Sequence, residues 1–231
     1  MYLLLDIGNS RIKAVCYSNG LFTTLTEVSA EAFKNQPWQA VYVASVAAEE
    51  KISLLQQHLE LTKVPWHLLH SEASAFSLIN CYQNPERLGV DRWLAMLGAT
   101  SLFANTDLLI VDAGTALTLD WVSQTQQHLG GWIIPGVKLQ QEAVISNTAK
   151  VLSRPGVANA LSLGTDTHSC VENGALAAVS GAIRLGWQLK PAKHLVLTGG
   201  DADKIATYLT DLPVYHDPLL IFRGVARYID R

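Results

Sequence analysis

Hydrophobic residues along the first half of the chain form short continuous runs separated by turn signals, and two stretches with helical spacing. Continuous apolar runs of this length predict strands that are buried on both faces. The predicted strands span residues 2–5, 12–17, 21–28, 41–46 and 64–69. Apolar residues three and four positions apart predict helices over residues 30–35 and 49–59. Asn19-Gly20 between two predicted strands indicates a hairpin turn.

The second half repeats this alternation. Its predicted strands span residues 108–111, 116–122, 132–134, 194–197 and 214–215. Helices are predicted over residues 172–189 and 221–229, and another after Asp201, which can cap it. Between the halves, Val90, Leu94 and Leu97 have the spacing of one helical face.

Each half opens with the same polar signature at the end of its first strand. Asp6-Ile7-Gly8-Asn9 follows one apolar run, and Asp112-Ala113-Gly114-Thr115 follows the other. Because the signature recurs at the head of two similar strand and helix orders, we expect a duplicated α/β domain. The turn at residues 105–106 predicts a first domain over 1–105 and a second over 106–231.

Composition excludes several classes of protein. The 231 residues carry a net charge of −3, which gives no electrostatic basis for binding nucleic acid or an anionic membrane. The apolar run at the N-terminus is far too short to span a bilayer. The three widely spaced cysteines predict no disulfide framework and no zinc site, as expected of a cytoplasmic protein: Cys16, Cys81 and Cys170.

The first signature has the chemistry of a phosphate site. A glycine lets the backbone turn and approach a ligand, and successive amides can point at one anion. Asn9 and Ser10 add donors, Lys13 adds a positive charge, and Asp6 can hold a hydrated Mg²⁺. The same residues taken alone are also compatible with a plain hairpin that exposes an acid.

The second signature favours the phosphate interpretation, because two such hairpins resemble the arrangement of the actin, sugar kinase and Hsp70 superfamily, in which Thr115 would offer a hydroxyl and an amide to the nucleotide. Thr198-Gly199-Gly200 follows a predicted strand and resembles the adenosine loop of that superfamily, where glycines let the backbone pass against a base or ribose. A simple turn between strand and helix would need the same glycines.

Gly89-Val90-Asp91-Arg92 lies at the predicted start of a helix. The helix N-terminus stabilises a carboxylate there, and an arginine can make two parallel hydrogen bonds to a carboxylate ligand. The competing interpretation is an aspartate that caps the helix, with Arg92 on the surface.

Four segments in this order resemble the type III pantothenate kinases of the actin, sugar kinase and Hsp70 superfamily. They are Asp-Ile-Gly-Asn-Ser at 6–10 with Lys13, Leu-Gly-Val-Asp-Arg at 88–92, Asp-Ala-Gly-Thr-Ala at 112–116 and Thr-Gly-Gly-Asp at 198–201. The resemblance extends over nearly the whole chain. Val90 departs from it, because many members have a smaller alanine there.

The resemblance implies two ribonuclease H-like domains, each with a mixed five-stranded sheet flanked by helices, and a nucleotide cleft between them. It implies phosphorylation of pantothenate by ATP, the first step of coenzyme A synthesis, with Asp91 as the general base. The implied pantothenate-binding residues are Tyr82, Gly89, Val90, Asp91, Arg92 and Thr167. The implied nucleotide-binding residues are Asp6, Ile7, Gly8, Asn9, Ser10, Arg11, Ile12, Lys13 and Thr115.

The same resemblance implies Mg²⁺ at Asp6, a monovalent cation (K⁺ or NH₄⁺) at Asp112, and a homodimer. Gly174, Gly181 and Gly186 within one predicted helix are compatible with close packing, since glycine otherwise destabilises a helix. Two alternatives stay open: a kinase of the same superfamily that acts on a sugar or acetate, and a nucleotide-dependent regulator without enzymatic activity.

Overall fold

The computed structural model describes residues 1–8, 12–45, 49–148, 156 and 161–231. The chain divides into two compact units. The first contains Met1–Phe103 together with Leu219–Arg231, and the second contains Ala104–Pro218. None of the helices in the described ranges combines the length and the apolar character that crossing a bilayer requires.

The first unit is built on a mixed sheet with the strand order β3-β2-β1-β4-β5. The strands are β1 (Tyr2–Ile7), β2 (Ile12–Ser18), β3 (Leu21–Leu25), β4 (Ala40–Ser45) and β5 (Trp66–Leu69). β1 pairs with β2 antiparallel and with β4 parallel, so β1 lies at the centre of the sheet. A small hairpin of β6 (Ser74–Ala75) and β7 (Leu78–Ile79) follows, and then a single 3₁₀ turn over Pro85–Arg87.

Helices cover both faces of this sheet. They are α1 (Ala30–Phe33), α2 (Glu49–His58), α3 (Val90–Leu102) and the C-terminal helix α7 (Leu220–Ile229). Leu3, Leu5 and Val43 point from alternate strand positions into one core with Phe33 and Leu59. α3 and α7 pack on each other and on β4, and α7 also packs on β1. Alternation along β1 therefore directs its remaining side chains, Asp6 among them, to the face opposite this core.

The second unit repeats the strand order of the first, as β10-β9-β8-β11-β12. Its strands are β8 (Leu108–Ala113), β9 (Ala116–Val122), β10 (His128–Pro135), β11 (His194–Thr198) and β12 (Val214–His216). Its helices are α4 (Val137–Asn147), α5 (Thr167–Leu189) and α6 (Ala202–Ala206). β8 and β9 are antiparallel and β8 and β11 parallel, as are their counterparts in the first sheet. The predicted fold class, duplicated five-stranded mixed sheets flanked by helices, is confirmed.

The structure differs from the sequence prediction in the assignment of the last helix. The predicted second domain runs to residue 231, whereas the contacts place Leu219–Arg231 with the first unit. The physical reason is the packing of α7 against α3: a side-chain carbon on Gly224 would overlap the carbonyl of Leu94. The predicted boundary at 105 lies close to the observed change of unit after Phe103.

Two helix predictions were incomplete. α5 begins five residues before the predicted position, because Asp166 accepts a hydrogen bond from the Ser169 amide in a capping box. α4 was not predicted, since its sequence, VKLQQEAVISN, has only a weak apolar stripe.

Candidate active site

Near the end of the first hairpin, the described residues include a carboxylate on β1 and an ammonium group on β2. β1 and β2 pair in a register that sets Asp6 directly opposite Lys13 and Ile7 opposite Ile12. Residues opposite each other in an antiparallel pair project from the same face. Asp6 and Lys13 are both half-buried, and Gly8, just after β1, is exposed. The predicted residues Asn9, Ser10 and Arg11 lie outside the described residues.

This arrangement fits a metal-bound phosphate group. Mg²⁺ in kinases is commonly held by one or two carboxylates together with the phosphates of the substrate, so no larger protein cage is needed. Asp6 offers that carboxylate, and Lys13 beside it offers a positive charge to a phosphate. Within the described residues, no three His, Cys, Asp or Glu side chains converge as a metal-binding cluster.

The start of α3 presents Asp91 in a defined conformation. Gly89 occupies the N-cap position of α3. Val90 is the first helical residue and is buried within the first unit. The Asp91 Oδ1 atom accepts a hydrogen bond of 2.8 Å from the amide of Arg92. A side-chain carbon at Gly89 would lie 2.5 Å from the same oxygen. A glycine is therefore needed for Asp91 to hold this position.

Arg92 and Tyr82 meet, although ten residues separate them in the chain. The Arg92 Nη1 atom donates to the Tyr82 hydroxyl at 3.0 Å, and the guanidinium carbon lies 5.9 Å from the ring centre. Arg92 is only 5% exposed, so the interpretation of Arg92 as a surface residue is wrong. A buried guanidinium requires polar partners, and its planar set of N–H donors suits an anionic ligand.

The second hairpin forms a compact backbone junction in the other unit. The Gly114 amide donates to the Ala116 carbonyl at 3.0 Å, which closes the turn between β8 and β9. The Gly136 amide, just before α4, donates to the carbonyl of Thr115 at 3.0 Å. A side-chain carbon at Gly136 would overlap the carbonyl of Gly114. The start of α4 therefore packs directly against the turn that carries Thr115.

The glycine loop after β11 joins this junction. Gly199 has a φ of +103°, a conformation that residues with a side chain rarely adopt. A side-chain carbon there would lie 2.5 Å from Asp112 Oδ1. The Asp201 amide donates to the carbonyl of Ala113 at 3.0 Å. The structure thus brings together Asp112, Thr115 and the Thr198-Gly199-Gly200 loop, which are far apart in sequence.

Thr167 is the first residue of α5 and is exposed. The hydrogen bond from the Ser169 amide, with one involving its hydroxyl, lowers the pKa of Asp166 below its usual value. An ionised Asp166 caps the helix and so sets the position of Thr167. Thr167 belongs to the second unit, whereas Tyr82, Gly89, Val90, Asp91 and Arg92 belong to the first.

Two residues of these regions, Gly136 and Asn80, were not predicted from the sequence. Gly136 could have been found from Pro135-Gly136, which commonly precedes a change of secondary structure. Asn80, which bonds to the backbone around Tyr82, had no such signal, because an isolated asparagine also suits any turn.

Comparison with known sequences gives a consistent result. A sequence profile of the type III pantothenate kinase family matches residues 2–188. The type III pantothenate kinase of Colwellia psychrerythraea is 37% identical over 221 residues, which cover 90% of this chain and 88% of the relative. That of Pseudoalteromonas atlantica is 37% identical over 240 residues, covering 98% and 96%.

Solved structures share the fold. A conserved Baf family protein of Campylobacter jejuni, described as a transcriptional activator, superposes with a TM-score of 0.61 at 27% identity over 99% of this chain and 97% of that one. A protein of Sinorhizobium meliloti described as a 2-dehydro-3-deoxygalactonokinase superposes with a TM-score of 0.58 at 12% identity, over 98% and 97%.

Proposed function

Since this chain belongs to the family of type III pantothenate kinases, we propose that it transfers the terminal phosphoryl group of ATP to the primary hydroxyl of pantothenate, the first step of coenzyme A synthesis. The observation that carries the proposal is the start of α3, where Asp91 is held beside a buried Arg92 that bonds to Tyr82. A base next to an anion-binding group suits an acceptor that has both a hydroxyl and a carboxylate.

Asp91 acts as the general base in this proposal. Its Oδ1 atom accepts from the Arg92 amide, which leaves the other carboxylate oxygen, Oδ2, to take the hydroxyl proton. Arg92, Tyr82, Gly89, Val90 and Thr167 hold pantothenate in place. Because phosphoryl transfer depends chiefly on positioning and charge neutralisation, Asp91 need not be a strong base.

Residues 6–13 and Thr115 bind the phosphates of ATP. Lys13 neutralises part of the triphosphate charge, and the amides at the two hairpins donate to phosphate oxygens. Asp6 would hold Mg²⁺, which would neutralise more of that charge. Asp112, whose carboxylate lies against Gly199, would hold a monovalent cation, K⁺ or NH₄⁺.

The protein functions as a homodimer in the cytoplasm. Gly174 and Gly181 of α5 have no atom of the described chain within 4 Å of an added side-chain carbon. Gly174 lines an open groove of about 480 Å³, which is also bordered by Leu163, a residue that is 95% exposed. A second copy would cover these apolar atoms and account for glycines in a helix. Light scattering at micromolar concentration checks this, and a monomer there contradicts it.

A coupled assay for ADP release tests the activity. The chain is supplied with ATP, Mg²⁺ and one acceptor at a time: pantothenate, glucose or acetate. We expect turnover with pantothenate alone, and more of it with K⁺ or NH₄⁺ than with Na⁺. Turnover with glucose or acetate but not with pantothenate would identify a different kinase. If turnover is the same with Na⁺ as with K⁺ or NH₄⁺, only the proposed cation-binding role of Asp112 is refuted.

The description of the Baf family relative as a transcriptional activator favours one further candidate, a nucleotide-dependent regulator. The net charge of −3 argues against direct contact with DNA, whose binding is dominated by attraction to phosphates. A wild-type protein that binds ATP but does not phosphorylate pantothenate would favour the regulator.

A further inference from the structure

Residues 71–88 form a polar framework that leads directly into the start of α3. The framework contains the β6–β7 hairpin, whose two turn residues, Phe76 and Ser77, have φ values of 51° and 70°. Two left-handed residues in a two-residue turn match the twist of the strands but are strained without glycine. The surrounding contacts must hold this hairpin in place.

Asn80 is at the centre of the framework. Its Oδ1 atom accepts a hydrogen bond of 3.0 Å from the Tyr82 amide. Its Nδ2 atom donates to the carbonyls of Glu72 at 3.1 Å and Pro85 at 3.3 Å. The Asn80 amide donates to the Ala73 carbonyl at 2.9 Å. One side chain, only 8% exposed, therefore joins three backbone segments.

Two chains of contacts run from Asn80 to the proposed pantothenate site. The first goes through Tyr82, whose amide bonds to Asn80 and whose hydroxyl bonds to Arg92. The second goes through Pro85, whose carbonyl accepts from both Asn80 and the Leu88 amide, the latter at 3.1 Å. The Leu88 carbonyl accepts from the Ser71 hydroxyl at 2.8 Å, and Gly89 follows immediately.

We infer that Asn80 is a positioning residue that sets the distance between Tyr82 and the Gly89–Arg92 turn, and thereby the affinity for the acceptor substrate. The inference rests on the proposed function, since it assigns these groups to pantothenate. The Asn80 side chain bonds to backbone groups of Glu72, Tyr82 and Pro85, and so it acts on the site through other residues.

The chemistry of asparagine is specific for this position. An aspartate would retain an acceptor for Tyr82 but would turn a carboxylate oxygen toward two carbonyl oxygens. A serine can still accept from the amide two residues later, but it cannot bond both carbonyls. Only an amide side chain of this length supplies the one acceptor and the two donors that the framework uses.

Asn80 is a buried polar residue and not a member of an apolar cluster, so its role can be tested apart from a loss of apolar packing. Replacement of Asn80 removes the hydrogen bonds that join the framework of residues 71–88, but it removes no apolar side chain from either core. The expected consequence is a misplaced pantothenate site on a folded protein.

The experiment compares Asn80→Ala, Asn80→Ser and a control, Tyr17→Phe, which removes a part-buried hydrogen bond elsewhere in the same unit. Steady-state kinetics are measured for pantothenate and for ATP. In Asn80→Ala we expect the KM for pantothenate to rise about tenfold, the effect of losing one to three modest hydrogen bonds, with kcat and the KM for ATP little changed. Asn80→Ser should fall between Asn80→Ala and the wild type, and Tyr17→Phe should match the wild type.

Hydrogen exchange gives a readout that does not depend on activity. We expect Asn80→Ala to speed exchange of the amides in 82–88, while exchange in β1 and β4 stays at the wild-type rate. Unchanged exchange in 82–88, or an unchanged KM for pantothenate, overturns the inference. A fall in kcat together with a rise in both KM values also overturns it, because that pattern indicates a general structural role. A wild type that does not phosphorylate pantothenate refutes the proposed function, and exchange then still decides the role of Asn80 in the framework.

Discussion

At the scale of single residues, the side chain of Asp91 and the missing side chain of Gly89 depend on each other. The Asp91 carboxylate occupies space that a side-chain carbon on Gly89 would approach to 2.5 Å. The amide of Arg92 holds the same carboxylate oxygen from the other side. The orientation of the proposed base is therefore determined by three neighbouring positions of the chain, 89, 91 and 92.

Replacing Asp91 by asparagine tests the base. Asparagine keeps an oxygen that can accept from the Arg92 amide, so the fold and ATP binding should be retained. Turnover of pantothenate should fall by roughly 10²–10⁴, the usual contribution of a general base. The measurements are kcat by ADP release and the midpoint of thermal unfolding. Near-normal turnover in this variant would remove Asp91 from the role.

Replacing Gly89 by alanine tests the orientation of that base. The atom in conflict is the end of a flexible side chain, so the carboxylate can move away with little loss of stability. Displacement by about 1 Å should lower kcat on the order of 10²-fold. Tyr17→Phe serves as the control, because it changes a contact of the same unit that the proposed site does not use. If Gly89→Ala turns over as fast as the control, Asp91 is not held by this contact.

At the scale of elements, α3 is positioned by its contact with α7. Gly98 of α3 lies against the backbone of Leu220, and Gly224 of α7 lies against that of Leu94. Arg227 adds hydrogen bonds of 3.2 Å to the Leu97 carbonyl and the Thr100 hydroxyl, and burial lowers its pKa. The helix that carries Asp91 at its first turn is therefore held by the C-terminal end of the chain.

The change Gly224→Ala should disturb this contact. Its added carbon meets backbone atoms of Leu94, which cannot move aside as a side chain can. Overpacking of this kind should lower the free energy of unfolding by about 1–3 kcal/mol, measured by urea denaturation. A control change at an exposed position of α2, Ser53→Ala, should change it by less than about 1 kcal/mol. Equal stability of the two variants would show that α3 and α7 can separate without cost.

At the scale of the whole molecule, the end of the chain returns to the unit in which the chain begins. The Tyr17 hydroxyl of β2 donates to Asp230 Oδ2 at 2.5 Å. The Tyr228 hydroxyl of α7 bonds to Glu72 and accepts from Trp93 Nε1 at 3.1 Å. These contacts secure the first unit, which would otherwise consist of residues 1–103 alone.

The Tyr17 contact predicts a pH dependence of stability. Burial, and then the hydrogen bond to Asp230, raise the pKa of Tyr17 to about 12 from an ordinary value of 10.0. The folded chain thus retains a proton that the unfolded chain loses above pH 10. The stabilisation is complete below pH 10 and is lost as the pH rises toward 12.

Urea denaturation between pH 9 and pH 12 measures this effect. The free energy of unfolding should decline across the upper part of this range, and Tyr17→Phe should make the decline shallower. Tyr228, whose pKa burial also raises, accounts for part of the remaining slope. The same slope in Tyr17→Phe and wild type would show that Tyr17 does not titrate in this way.

The local sequence pattern was sufficient to predict much of the fold of this protein. Apolar runs and turn signals predicted all ten strands of the two sheets, and the repeated Asp-x-Gly signature predicted the duplication. Such features depend on neighbours in the chain: the alternation of buried positions, the φ that a glycine permits, the charge at a strand end. The four segments that resemble the family could be found for the same reason.

Tertiary structure alone decided which distant groups meet. The bond between Arg92 and Tyr82, the junction of Gly136 and Gly199 with the second hairpin, the framework around Asn80 and the return of α7 to the first unit have no local signal. Each depends on side chains or backbone brought close by the packing of separate elements. A single asparagine or glycine has the same appearance in the sequence whether it joins three segments or only ends a turn.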